Sequence, residues 1–443
     1  MEGLQWFVDL GASVMLPVII FIFALILGTK VKKAIQAGLT VGIGFVGLNL
    51  ILELLTSSLG PAAKSMVEYL GFDLRTIDVG WPAAAAISYG TTLGSLAIPI
   101  GIGINILLLL FGLTKTLNVD IWNYWHFAFT GSLVYAITNN FAFGLLTIAV
   151  HVMVIFLLGD LLASDIQSYY GFKQITFPHA ASAPSYFLAK PLNYVFDRIP
   201  WFNKLEANHE TIQKRFGLLG DSLILGVLLG IVIGVLAGYN LQETLQLAIQ
   251  TGAVLVLMPK MVALLMEGLT PVSEAAGEMM KKRFPNRELF IGMDSALSVG
   301  HPAVLSASLL MVPITLLLAV ILPGNTVLPF GDLATIPFLI CLMVPVFKGN
   351  IIRTVIAATI YISAGLYIAT WVSPLFTEMA NNAGFDAGDN SSISALVDGA
   401  LWTTGLFVGV GKIVGWSGIA AIGIIAFAGL LYVNKIRKEG DQL

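Results

Sequence analysis

Charge is what this chain has least of. Of its 443 residues only 11% are Asp, Glu, Lys or Arg, against 57% hydrophobic, and the mean hydropathy is +0.87. A soluble domain carries about 25% charged residues, so the composition excludes a soluble globular protein and requires an integral membrane one. Cysteine is nearly absent too. Cys341, the single one, lies in the apolar run IPFLICLMVP and excludes both an internal disulfide and a CxxC metal site. No basic tract exists, and the net charge is −3, so no nucleic-acid partner is expected. There is no GxxxxGK[ST] loop for ATP, no HExxH, and no GxSxG elbow. The five histidines (126, 151, 179, 209, 301) show no metal-ligand spacing, so neither metal nor cofactor is expected. The start, MEGLQWFVDL, is acidic, and the apolar run behind it is long enough to span, which speaks against a cleavable signal peptide.

What is present is apolar length. A helix needs about 20 apolar residues to cross a bilayer. Nine runs qualify: Leu10–Thr29, Ala34–Leu55, Ile98–Leu113, Phe141–Leu158, Ile224–Gly238, Leu245–Met266, Ala303–Leu322, Ile351–Trp371 and Trp416–Val433. Shorter or polar-interrupted runs lie at Pro82–Gly94, Trp122–Thr138, Phe177–Leu192, Leu333–Val346 and Ala400–Val410. Nine to twelve spans with several half-helices follow, in an all-α membrane fold without β-barrel alternation.

The chain also repeats itself. At an offset of 210 residues Gly28 meets Gly238, Gln36 meets Gln246, Gly42 meets Gly252 and Pro61 meets Pro271. Further on the register drifts: Asp120 pairs with Asp332, and VGWPA (79–83) with VGHPA (299–303). Two halves result, 1–210 and 211–443. Lys30, Lys32 and Lys33 place the first loop in the cytoplasm by the positive-inside rule, whereas Gly238–Thr244 carries no Lys or Arg. The mixed, acidic stretch Pro61–Asp78 has a basic counterpart in Lys281, Lys282, Arg283 and Arg287. Charge signs swap, so the halves are read as inverted-topology repeats. The tail (Lys435, Arg437, Lys438) is then cytoplasmic and the N-terminus outside, which requires an odd number of full spans. Asp197–Gly217 joins the halves as a polar cytoplasmic linker, its length suited to an interfacial helix.

Candidate chemistry centres on Ile291–Ala303, IGMDSALSVGHPA. Gly300 and Pro302 interrupt any helix there, and Asp294 is an acid in an apolar setting. His126 lies among aromatics in WNYWHFAFTG, with Thr130 one turn on. His179, in ITFPHAASAPSY, sits in a segment too broken for an ordinary span, so it is either a cavity-lining break or a cytoplasmic loop. Asp332 stands as a helix N-cap, His151 and His209 are structural, and Asn139–Asn140 is a turn. GIGFVG (42–47) has no strand before it, and it is read, like Gly226, Gly230, Gly234 and Gly238, as close helix packing. No Arg or Lys neighbours His126 or Asp294, as a phosphate or carboxylate would demand. Acid, imidazole and hydroxyl groups between aromatic walls suit a neutral polyol or sugar. An ion-coupled secondary transporter of a polyol or small organic acid is the alternative.

GIGFVG, IDVGWPAAA, NVDIWNYWHFAFTG, FPHAASA, LTPVSEAA, IGMDSALSVGHPAVLSAS and LPGNTVLPFGDLATI together resemble the galactitol-specific enzyme IIC of the bacterial phosphotransferase system. More distantly the chain is similar to the ascorbate enzyme IIC. The resemblance implies a homodimer in the bacterial inner membrane, with about eleven spans per protomer and re-entrant hairpins. It implies a scaffold (a V-shaped motif, about 5–58 and 218–267) and a mobile core (about 75–195 and 285–433) that moves as an elevator. It makes the chain the permease component of a galactitol phosphotransferase, whose separate IIB subunit, served by IIA, phosphorylates the translocated sugar alcohol from a phosphocysteine. Cys341, in an apolar segment, is no phosphocarrier. The same resemblance places substrate on His126, Thr130, His179 and Asp294. The basic stretches Lys204–Arg215 and Lys281–Arg287 are either a docking surface for IIB or simply the positive-inside bias of cytoplasmic loops. Ascorbate proteins carry glutamines just after these histidines; Thr130 and Ala180–Ala181 stand here instead, against ascorbate as substrate.

Overall fold

The computed structural model describes residues 12–26, 28–70, 76–118, 120, 122–200, 202, 222–283, 289–329, 332–382 and 392–440. Glycine turns and helix-length apolar runs set the architecture. In the first half, α1 (Ala12–Ile26) turns at Gly28 into α2 (Val31–Leu70). Strand β1 (Thr76–Asp78), α3 (Gly80–Gly90), α4 (Gly94–Leu110), β2 (Thr116–Asn118), α5 (Trp125–Thr138), α6 (Phe141–Tyr170), β3 (Ile175–Thr176) and α7 (Ala183–Phe196) follow. The second half runs α8 (Ser222–Leu236), α9 (Leu241–Arg283), β4 (Phe290–Gly292), α10 (Ala296–Val299), α11 (Pro302–Ile321) and β5 (Val327–Leu328). It closes with α12 (Ile336–Ile340), α13 (Met343–Val346), α14 (Ile351–Asn382), β6 (Ser392–Ser394), α15 (Leu396–Gly399), α16 (Trp402–Ile413) and α17 (Trp416–Gly440).

Among the described residues four helices are long and apolar enough to cross a membrane: Phe141–Tyr170, Pro302–Ile321, Ile351–Asn382 and Trp416–Ile436. Helices α2 and α9 are longer than any sequence span within them, at 40 and 43 residues. At 1.5 Å per residue each reaches about 60 Å, twice the hydrocarbon thickness. They pack along each other, with α1 against α2 and α8 against α9. Gly28 and Gly238, 210 residues apart, both take positive φ (86° and 72°) and close the α1–α2 and α8–α9 turns. Their backbone bonds match: Gly28 N to Leu25 O and Thr29 N to Ala24 O, against Gly238 N to Val235 O and Tyr239 N to Gly234 O. Gly238 thus serves a turn rather than the packing seam. Gly230 and Gly234 do serve the seam. A Cβ on Gly230 would lie 2.5 Å from Ala248 Cα, and one on Gly234 3.0 Å from Thr244.

Strands too short to show any alternation add what an all-helical expectation left out. They form two three-stranded parallel sheets. The first is ordered β5-β1-β6, the second β2-β4-β3. In each, one half of the chain supplies the central strand and the other half both flanks. A segment breaks away from every strand end into a short helix or turn, so six helix starts crowd around two small sheets. The linker Asp197–Gly217 lies mainly outside the described residues, as do Arg287 and its neighbours. Asp197 itself pairs with Arg353 (2.6 Å) on α14.

Candidate functional site

The carboxyl ends of β2, β4 and β3 carry the polar cluster. Beyond β2, Asn118 Oδ1 accepts from the Asp120 backbone N–H (3.1 Å), and a 3-10 turn Trp122–Tyr124 delivers Asn123 and then His126 on the first turn of α5. Past β3 the chain passes Phe177 and Pro178 to His179; past β4 it reaches Asp294 through Met293. Gly292, ending the central strand, is needed for this convergence. A Cβ there would stand 2.7 Å from Pro178 Cγ and 2.9 Å from Asn118 Cα.

Asn123 Nδ2 donates to Asp120 Oδ2 (2.7 Å) and to Asp294 Oδ2 (3.1 Å), joining two acids that would otherwise repel. Asp294 Oδ1 accepts from the Ala296 backbone N–H (2.9 Å) and lies 3.4 Å from His179 Nε2. The His179 and His126 rings meet edge to face, 5.1 Å between centroids, and Trp125 packs 4.0 Å from His126. His126 Nδ1 is 2.7 Å from Asp398 Oδ2, on α15 at the end of β6. Within this cluster two ring nitrogens, His126 Nε2 and His179 Nδ1, are buried without hydrogen-bond partners among the described residues, as is His151 Nε2 behind it. Asp294 is the part of the cluster that opens outward, its side chain 20% exposed.

Three of the four sequence candidates, His126, His179 and Asp294, are therefore brought together. Thr130 is not. Its hydroxyl donates to the His126 carbonyl and meets His151 Nδ1 (2.7 Å each), so it is engaged within the helix bundle. Of the motif around Asp294, the remaining polar groups are structural. Ser295 shares a hydroxyl bond with Ser182 (2.7 Å), Ser298 bonds the Ser295 carbonyl, and His301 caps α11 through the Ala303 N–H. His179 sits in buried non-helical backbone. Asn139, at φ 47°, and Asn140, whose side chain caps α6, make the expected turn. Asp120, Asn123 and Asp398 went unselected. The signal for Asp398 was an acid in an apolar stretch, SALVDGALW, as much a flag as Asp294. For Asp120 and Asn123 it was their place six and three residues before a candidate imidazole.

The first sheet provides a control within the molecule. Asp78 ends β1, and Asp332 follows β5 as Asp120 follows β2. Asp78 accepts backbone N–H groups from Gly80 (3.1 Å), Leu396 (3.3 Å) and Asp332 (2.8 Å). Asp332 accepts from the backbone of Trp81 (2.8 Å) and Val397 (3.0 Å) and from Thr335 Oγ1 (3.1 Å). Asp332 does stand at a helix start, as expected, but its carboxylate serves the other two segments' backbones and not its own. These two acids are consumed mainly by main chain; Asp120 and Asp294 are bridged by the Asn123 side chain, with one backbone N–H on Asp294 and Asp120 Oδ1 left without a partner among the described residues.

Asp120, His179 and Asp294 offer ligand atoms within 4.8 Å of one another, a spacing a cation could use. The Asn123 amide meets both carboxylates with its N–H₂ side, which is how a hydrogen-bond donor, and not a cation's oxygen ligand, is placed. Among the described residues no Lys or Arg pairs with His126, His179, Asp120 or Asp294.

With that geometry in place, comparison identifies the family. Residues 6–390 match the family of sugar-specific permease components of the phosphotransferase system. The chain belongs to this permease family. The galactitol-specific EIIC component of Escherichia coli (strain K12) is 40% identical to this permease over 383 residues, 86% of this chain and 85% of that one. The same component from Escherichia coli O157:H7 matches equally. Another Escherichia coli (strain K12) protein, itself classed only provisionally as a permease IIC component, is 38% identical over 97% of this chain and 98% of its own.

Proposed function

We propose that this permease carries galactitol, or a closely related acyclic polyol, across the bacterial inner membrane for phosphorylation by a separate IIB subunit at the cytoplasmic face. The observation that carries this reading is the cluster itself: Asp120 and Asp294, bridged by Asn123, stand beside two imidazoles that each have an unpartnered nitrogen, whereas Asp78 and Asp332 are spent mainly on backbone N–H groups. A polyol brings many hydroxyl donors and no charge, which fits acceptors without a cationic partner. His126, His179 and Asp294 take substrate hydroxyls, Asn123 and Asp120 extend the row, and Thr130 supports His126 from behind through its helix. Asp294, as the exposed carboxylate, also receives the proton from the hydroxyl that attacks the phosphocysteine of IIB. The S–P bond breaks as the O–P bond forms.

Architecture follows the same proposal. α1, α2, α8 and α9, which pack on each other through matching glycine turns, form the dimerising scaffold (about 5–58 and 218–267). The two sheets and their helices form the mobile core, in two inverted repeats with about eleven spans in all. Exchange of central and flanking strands between halves supports inversion. So does charge: Lys115 and Lys173 precede β2 and β3, whereas Leu322–Thr326, before β5, has neither Lys nor Arg. The site-bearing sheet therefore begins on the cytoplasmic side, with the C-terminus also inside and the N-terminus outside.

Uptake into vesicles tests this directly. With IIB, IIA and the phosphoenolpyruvate-dependent enzymes inside, labelled galactitol is expected to accumulate only as its phosphate, and omitting IIB to abolish accumulation. Free galactitol concentrated by a proton gradient without IIB would mean an ion-coupled transporter instead.

A further inference from the structure

Asp398 is the residue that nothing so far explains. It lies on a four-residue helix in the second half, 272 positions from His126, and is fully buried. One of its oxygens meets His126 Nδ1; the other, Oδ1, is buried without a partner among the described residues. A buried carboxylate with a single hydrogen bond is costly to keep. For stability alone an apolar pair would serve as well or better.

The arrangement has a twin. His179 and Asp294 form a second imidazole–carboxylate pair, again with the histidine from the first half and the acid from the second. In each pair one ring nitrogen faces its acid and the other has no partner. The two rings contact each other edge to face, which brings the pairs side by side.

The geometry points to Asp398 as a positioning residue. It holds the proton on His126 Nδ1, so that Nε2 presents a lone pair to a substrate hydroxyl, and it fixes the ring against His179. Asp398 never touches substrate. It makes an acceptor of a group that could equally be a donor, which favours hydroxyl-rich ligands over carbonyl-rich ones of similar size. This rests on the proposed polyol site, but its own readout does not need transport.

Nitrogen NMR on protein labelled at histidine, with His126 assigned by substitution, reads the tautomer directly; galactitol titration reads the affinity. Asp398→Leu removes the acceptor, and a mixture of His126 tautomers is expected, with galactitol affinity reduced about 30-fold or more. Asp398→Asn keeps volume and an acceptor oxygen, so it covers the case in which the leucine variant does not fold. It is expected to keep the Nδ1 proton, shift its resonance and lose about fivefold in affinity, as a charge-assisted bond becomes a neutral one. Wild-type affinity in both variants overturns the inference. So does lost affinity with unchanged His126 resonances, which would make Asp398 merely structural. Failure of the wild-type protein to bind galactitol would strike the polyol site itself and not the tautomer assignment.

Discussion

Asp294→Asn is expected to lose galactitol binding by at least about 100-fold while the protein still folds. Hydrogen bonds to a charged group are worth about 1.5–3 kcal/mol each, or about 10- to 150-fold. The wild-type carboxylate accepts from Asn123, Ala296 and, by proximity, His179 at once. An amide of the same shape has one acceptor where three donors converge. If its oxygen turns to Asn123, its N–H₂ meets the Ala296 N–H and His179. Either orientation sets donor against donor and disturbs His179 as well as removing the charge. Because the Asp294 side chain is partly exposed, water relieves the mismatch when substrate is absent, and the fold survives. Calorimetric titration with galactitol, alongside the thermal unfolding midpoint of the same sample, separates the two. Near wild-type affinity would take Asp294 out of the site.

Asp78→Ala should do the opposite, and collapse stability without any special effect on substrate recognition. Three buried backbone N–H groups, of Gly80, Leu396 and Asp332, lose their acceptor together. An orphaned buried donor costs about 1–3 kcal/mol, so at least about 3 kcal/mol is expected here, a large share of a typical net stability. The loss falls where β1, β5 and β6 separate into their helices, and these segments are distant in sequence. The junction's other fastening, Asp332, is already engaged by Trp81, Val397 and Thr335. Size-exclusion chromatography and thermal unfolding in detergent give the answer: a steeply lowered midpoint, or no monodisperse protein. A wild-type midpoint with transport lost would mean that the first sheet, too, is a functional site.

These two aspartates show what the sequence could and could not reveal. Both are lone acids in apolar, glycine-flanked segments, and by residue type they are indistinguishable. Asp294 stood out through the histidine and serines beside it, yet of those neighbours only the acid joins the cluster. His301 is a local helix cap, and Ser298 bonds the Ser295 carbonyl. The helical frame, the repeat that pairs Gly28 with Gly238, and the break at Gly300–Pro302 were legible from the residues themselves, whereas the turn made by Gly238 was read as helix packing. The two sheets were not. Strands of two or three residues carry no periodicity, and their pairing joins residues 76 with 327 and 392, and 116 with 290. Asp398 was missed for the same reason, since its role exists only once β6 is laid beside β1 and its short helix reaches α5. Thr130 was selected for standing one helical turn from His126. Its hydroxyl is taken up by the His126 carbonyl and His151.

The most direct test of the central claim is a structure of the permease with galactitol bound. Ligand oxygens are expected within about 3.2 Å of Asp294 and of the open nitrogens of His126 and His179, at the carboxyl ends of β2, β4 and β3. Galactitol lodged instead at the ends of β1, β5 and β6, or in the apolar groove between Phe187 and Trp402, with the His–Asp cluster untouched, would contradict it.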